Sequence, residues 1–275
     1  MLINQTKNNS FKASAKWIAV VSMLSISTTL HAKVVTKVIP YSLNGVKMSG
    51  YYAYDDAIKG KRPGVLVVHE WWGHDEYARE RSRMLAGLGY SAFALDMYGT
   101  GKLAKHPDTA KKFMTAVTSN MSIARKRYNK GLSILMAQEA TDDKKLAAIG
   151  YCFGGGVVLD MARRGVDLKG VVSFHGSIAT KEPAEKGVVK ARILVLNGAD
   201  DPFVTKEQIG ALKKEMHDAR AKLEIVNYKG TKHSFTNPKA DEFGKKFNMP
   251  LAYNPDADKK SWLKMQQFFK ELFNK

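Results

Sequence analysis

Four short segments of this chain carry side chains that can do chemistry. They are His69-Glu70-Trp71-Trp72-Gly73-His74, Gly150-Tyr151-Cys152-Phe153-Gly154-Gly155-Gly156, Gly198-Ala199-Asp200-Asp201-Pro202-Phe203-Val204 and Gly230-Thr231-Lys232-His233-Ser234-Phe235. Each follows a largely apolar run. The last three supply the chain's one thiol, two carboxylates and an imidazole, in that order. A thiol activated by a base, with the base oriented by an acid, is the apparatus of nucleophilic acyl transfer.

The Gly-x-Cys-x-Gly element is the most informative. A strand that runs straight into a helix leaves the middle residue on a sharp turn. Small neighbours are needed there because larger side chains would collide. The Cys152 thiol is therefore expected at the top of a sheet. The amide of Phe153 faces the same point and can donate to a developing oxyanion. The positive end of the following helix favours thiolate. His233, after the last strand, stands where the base belongs. Asp200 and Asp201 both offer the acid. The Asp-x-x-Val spacing from Asp201 to Val204 favours Asp201 and leaves Asp200 as a turn residue.

Glu70 ends an apolar strand, where a carboxylate is costly without a partner. The thiol, His233, or an arginine such as Arg79 or Arg81 are the candidates. His69-Glu70-x-x-x-His74 is one residue longer than the helical His-Glu-x-x-His zinc motif and follows a strand, so no metal is expected. Trp72, Tyr98, Tyr151, His175 and Phe203 fall near these loops in sequence and are candidates to line a substrate pocket.

These residues need elements to position them. Val34–Tyr41 and Val46–Tyr54 predict a hairpin across Asn44-Gly45. Gly64–His69, Tyr90–Leu95, Leu146–Tyr151, Gly170–Phe174, Ala191–Asn197 and Lys222–Tyr228 predict further strands, several of them buried on both faces. Helices are predicted over Glu76–Leu88, along His106–Gln138, and over Gly155–Arg164, Lys206–Ala219 and Asp258–Phe273. Strands separated by helices predict an α/β fold with a mostly parallel central sheet and helices on both faces. Ligand sites in such sheets lie beyond the carboxyl ends of the strands, where the four segments fall.

Together the four segments resemble the dienelactone hydrolase family of α/β-hydrolases, over roughly Val46 to Phe273. The resemblance implies an α/β-hydrolase fold and a Cys-Asp-His triad of Cys152, Asp201 and His233. It also implies a thiol-activating Glu70, and an oxyanion hole from the backbone amides of Trp71 and Phe153. The implied activity is hydrolysis of carboxylic esters or lactones. Members that act on dienelactone hold its carboxylate with arginines, one of them shortly after the histidine. Here Ser234-Phe235-Thr236-Asn237-Pro238 contains none, so a different substrate is expected. The mechanism implies no cofactor. The alternative is a non-catalytic ligand-binding protein on a hydrolase scaffold.

The 275 residues are 44% hydrophobic and 25% charged, which excludes collagen-like and mostly disordered chains. A single cysteine excludes an intrachain disulfide framework. Lys7, Lys12 and Lys16 precede an uncharged stretch, Trp17–Leu30, and then Leu30-His31-Ala32. That is the layout of a secretory signal peptide, too short to span a bilayer of about 30 Å. Cleavage near Ala32 is expected, leaving residues 33–275 as a single domain that is periplasmic or secreted. The net charge of +18 falls to +15 without the first 32 residues. The lysines are scattered and no nucleic-acid motif is present, so no nucleic-acid partner is expected. No stable membrane insertion is expected after cleavage. The expected state is a monomer.

Overall fold

The computed structural model describes residues 1–2 and 34–274. By its contacts the chain divides into residues 1–31 and 32–275. The expected signal peptide and its cleavage point, residues 1–2 apart, lie outside the described residues.

β1 (Val34–Leu43) and β2 (Val46–Asp55) form an antiparallel hairpin. Its turn places Asn44 at φ +50° and Gly45 at φ +77°, the pair of left-handed residues that a two-residue hairpin needs. β3 (Arg62–Val68), β4 (Ser91–Leu95), β5 (Thr141–Tyr151), β6 (Gly170–Phe174), β7 (Arg192–Gly198) and β8 (Leu223–Tyr228) complete an eight-stranded sheet. The order is β1-β2-β4-β3-β5-β6-β7-β8. β2 pairs antiparallel with β4, and every later pair is parallel.

The helices are α1 (Glu76–Gly87), α2 (Pro107–Thr118), α3 (Met121–Met136), α4 (Phe153–Arg163), α5 (Lys206–Asp218), α6 (Ala240–Phe247) and α7 (Pro255–Phe273). Alternation along the strands sorts the core into two layers. Leu66, Val68, Phe93, Leu95 and Ala148 face α2 to α5. Val65, Val67, Ala92, Ala94, Ala147 and Ile149 face α1 and α7. α7 closes its layer with Met265, Phe268, Phe269 and Phe273, each buried and each contributing about 1.5–3 kcal/mol.

β5 and α7 begin earlier than expected, at Thr141 and Pro255, and three further differences from the sequence expectation bear on the site. His106–Gln138 is two helices. Asn120 is extended (φ −130°, ψ 100°) and its side chain accepts from the Ser122 amide at 3.0 Å, so a cap interrupts the periodic pattern. The helix after Cys152 begins two residues earlier than expected, at Phe153, because Cys152 itself occupies the cap position. α6 was not expected at all. Its Phe243 and Phe247 pack on Trp72, with ring centroids 4.5 and 6.1 Å away. Among the described residues no helix is long and apolar enough to cross a membrane.

Candidate active site

Cys152 follows β5 and adopts φ +52°, ψ −114°, a backbone state that costs of order 1–3 kcal/mol for a residue with a Cβ. The surroundings enforce it. The Cys152 amide donates to the Phe174 carbonyl at 3.0 Å, and its carbonyl accepts from the Gly156 amide at 3.2 Å. The flanking glycines are steric requirements. A Cβ on Gly150 would sit 2.1 Å from the Gly154 carbonyl oxygen, and one on Gly154 would sit 2.3 Å from that of Val68.

Asp201 and His233 come from the loops after β7 and β8. The Asp201 amide donates to the Gly198 carbonyl, and the Asp201 carbonyl accepts from Val204, both at 3.2 Å. This turn explains the Asp-x-x-Val spacing. It buries Asp201 and leaves Asp200 exposed. Asp201 Oδ1 accepts from the Phe203 amide at 2.8 Å, and Oδ2 accepts from His233 Nδ1 at 2.7 Å. The other nitrogen of His233 is left for Cys152, which lies beside the ring on the same cavity. Burial alone would strip the imidazole of its proton. Electrostatic interaction with the Cys152 side chain and the hydrogen bond to Asp201 outweigh this and hold His233 up at about 10. The backbone of His233 is clamped by the late segment, since its carbonyl accepts from the Ala252 amide at 3.2 Å.

Glu70 is 2% exposed and lies beside this histidine loop. Ser234 Oγ donates to Oε1 at 3.0 Å and Asn237 Nδ2 donates to Oε2 at 2.5 Å. Burial pushes its carboxyl up to about 7; Asp75 adds to this, while Asn237, His233 and Ser234 oppose it. The arginine partnership offered by the sequence does not form. Arg81 instead donates to Asp258 at 2.7 Å and to the Thr236 carbonyl at 2.6 Å. His69 is held by the backbone, with Nδ1 at 2.5 Å from the Glu70 carbonyl and Nε2 accepting from the Met97 amide at 3.1 Å. Among the described residues no cluster of three His, Cys, Asp or Glu could hold a metal.

A cavity of about 230 Å³ opens over Cys152 and His233. Its walls are mostly apolar: Trp71, Met114, Phe153, Phe203, Val204, Met249 and Leu251. Among the described residues, the amides of Trp71 and Phe153 donate to no protein acceptor. Both residues line the cavity, and Phe153 opens α4, so its amide carries the positive end of that helix.

Of the five expected pocket side chains, only Phe203 lines this cavity. Trp72 is buried against α6. Tyr98 packs into the core between His69 and Phe153. Tyr151 shares its face of β5 with Ala147 and Ile149, so it points to the α1 and α7 layer and stacks on Phe174 at 4.7 Å. His175 lies behind His233, with ring centroids 5.3 Å apart, and bonds Thr236 Oγ1 at 2.7 Å. Burial drives it well towards the neutral form. The residues that sequence reasoning missed are Met114, Ser177, Val204, Met249 and Leu251. They come from four stretches of the chain, and only Val204 falls within a segment singled out by its chemistry.

The strand order, with a sharp strand-to-helix turn after β5 and polar loops after β7 and β8, makes this protein an α/β hydrolase. The dienelactone hydrolase family profile matches residues 48–273, and the chain belongs to that family. It is therefore a hydrolase of the ester or lactone class. Protein usf of Aquifex pyrophilus is 30% identical over 241 residues, covering 86% of this chain and 98% of the relative. A dienelactone hydrolase-like promiscuous phosphotriesterase from metagenomic libraries superposes with a TM-score of 0.82 at 32% identity. That alignment covers 88% of this chain and 99% of the other. A second solved structure, m3DLH, has the same TM-score at 37% identity and covers 87% of this chain and 98% of its own.

Proposed function

We propose that this protein is an exported hydrolase that cleaves small, uncharged carboxylic esters or lactones through an acyl-thioester on Cys152. The carrying observation is the chain of contacts from Asp201 through His233 to a thiol on a left-handed backbone turn. His233, oriented by Asp201, takes the thiol proton. The thiolate attacks the substrate carbonyl, whose oxygen becomes an oxyanion received by the Trp71 and Phe153 amides. The tetrahedral intermediate collapses, and His233 gives its proton to the departing alkoxide. His233 then deprotonates water, which attacks the thioester. The acid leaves and the thiolate is restored.

The cavity favours uncharged substrates. Apart from His233, its lining among the described residues has no cationic side chain to hold a carboxylate. The segment after the histidine, Ser234-Phe235-Thr236-Asn237-Pro238, holds no arginine, and the Asn237 amide is committed to Glu70. Export rests on the basic, then apolar, then small-residue order of residues 1–32. We read the mature enzyme as a monomer without a nucleic-acid partner, consistent with its scattered lysines.

Hydrolysis of short p-nitrophenyl esters and small lactones by the mature protein tests the mechanism. Cys152→Ala and His233→Ala are each expected to lose about 10³-fold or more. Equal rates in all three proteins would overturn it and favour a ligand-binding role. N-terminal sequencing of the exported protein tests the cleavage near Ala32.

A further inference from the structure

The catalytic cavity has a neighbour. A groove of about 890 Å³ runs from it toward the α2–α3 turn and the segment 179–182. Met114, Phe153 and Ser177 line both spaces. Nothing in the reaction described above uses this groove, and it is almost four times the volume of the cavity over the thiol.

The division of residues between the two spaces assigns the substrate's halves. His233, Phe203 and Val204 line the small cavity and are absent from the groove. A leaving alkoxide must lie against His233 to be protonated. The alcohol part therefore occupies the small apolar cavity. The groove, on the Phe153 side of the thiol, is left for the acyl part.

The groove's chemistry limits what that acyl part carries. Its charges are largely spent on one another. Arg125 holds Asp160 at 2.8 Å and Glu182 at 2.7 Å, and Arg163 holds Glu215 at 2.8 Å. A cationic ligand would have to displace these pairs, and an anionic one would meet only Lys181, an exposed, solvated lysine with no ion pair among the described residues. The other polar groups left over are neutral. The Ser119 and Ser177 hydroxyls make no hydrogen bond among the described residues, and both side chains are exposed. The Asn120 side chain spends its oxygen on the Ser122 amide and keeps its NH₂ group free.

We propose that this groove is the acyl subsite. It takes an extended acyl chain bearing uncharged hydrogen-bond acceptors, such as ether, hydroxyl or further ester groups. The proposal rests on the Cys152 mechanism above. It makes the preferred substrate asymmetric, with a compact apolar alcohol on the His233 side and a longer, polar but neutral acid on the other.

The test is a set of esters with one leaving group, p-nitrophenol, and four acyl chains: butyryl, an unbranched alkyl chain, an ether-containing chain, and a carboxylate-ended chain, the last three of equal length. The ether-containing ester is expected to exceed butyryl in kcat/KM by about 10-fold or more. The alkyl and carboxylate-ended chains should gain less than a third of that. Ala179→Trp, which fills the groove, and Ser177→Ala, which removes a hydroxyl, should both lower the ether-to-butyryl ratio. A ratio near one in the wild type, or one unchanged in Ala179→Trp, overturns the subsite. If Cys152→Ala hydrolyses the butyryl ester as fast as the wild type, the mechanism itself fails, and the subsite fails with it.

Discussion

Asn237 donates a 2.5 Å hydrogen bond to Glu70, tying the carboxylate at the end of β3 to the loop that carries His233. Ser234 holds the other oxygen. The family resemblance sets this carboxylate against the thiol, whereas its hydrogen bonds here go to the loop that carries His233. Glu70 thereby couples the loop holding Trp71 to the loop holding His233. Two donors favour the carboxylate form, yet burial prevails and holds the group up at about 7.

That shift has a definite sign in stability. An unfolded glutamate has a pKa of about 4.3, so between roughly pH 4.3 and 7 the folded chain binds the extra proton. Stability contributed by protonated Glu70 is present at pH 4 and is lost as pH rises through about 7. Glu70→Gln lacks this loss. Wild type should therefore fall relative to the variant by about 3 kcal/mol between pH 4 and pH 8, or roughly 6–12 °C in Tm. Thermal melts of both proteins at pH 4, 5.5 and 8 check it, and a constant difference would remove Glu70 as a titrating group.

The two neighbouring aspartates should separate cleanly. Asp201→Asn breaks the 2.7 Å contact that fixes the His233 tautomer and should lower kcat by about 10⁴-fold. Asp200→Asn, on an exposed side chain, should stay within about threefold of wild type. Steady-state rates on one p-nitrophenyl ester decide between them. Comparable losses in both would mean that the turn, rather than the carboxylate, matters.

The elbow glycines predict a graded stability series. Gly150→Ala places a Cβ 2.1 Å from a backbone oxygen and should cost more than about 3 kcal/mol. Gly156→Ala brings its Cβ only to 3.1 Å from the Ser177 carbonyl and should cost about 1 kcal/mol or less. Urea titrations rank the two. An equal cost would mean that the elbow relaxes more freely than its contacts allow.

Met249 lines the small cavity, where the proposed subsites put the alcohol. Met249→Ala should enlarge it and raise the preference for a branched over a linear alcohol by about 10-fold, the range expected for one or two methylenes. Competition between an ethyl and a tert-butyl ester of the same acid measures this directly. An unchanged ratio would place the alcohol elsewhere.

The turns that hold Cys152 and Asp201 were legible because their constraint is local. A strand must turn sharply into a helix at Cys152, so glycines surround it, and the Asp-x-x-Val turn marks Asp201 by short-range hydrogen bonds. The sheet was legible because buried parallel strands read as unbroken apolar runs such as Val65–Val68. The break at Asn120 was not legible, since apolar periodicity continues across it while one side-chain cap decides the backbone.

Sequence alone thus determined the order of Cys152, Asp201 and His233 along the chain, and the strand ends that present them. Tertiary structure decided what surrounds them. Nearness in sequence pointed to Trp72, Tyr98, Tyr151 and His175 as pocket walls. Strand alternation turned Tyr151 to the opposite layer, and α6 covered Trp72. The actual walls combine Met114 from α2, Ser177 after β6, and Met249 and Leu251 from beyond α6. A cavity is the space left where distant segments fail to fill a volume. No one of those segments encodes it, and it exists only once all of them have packed.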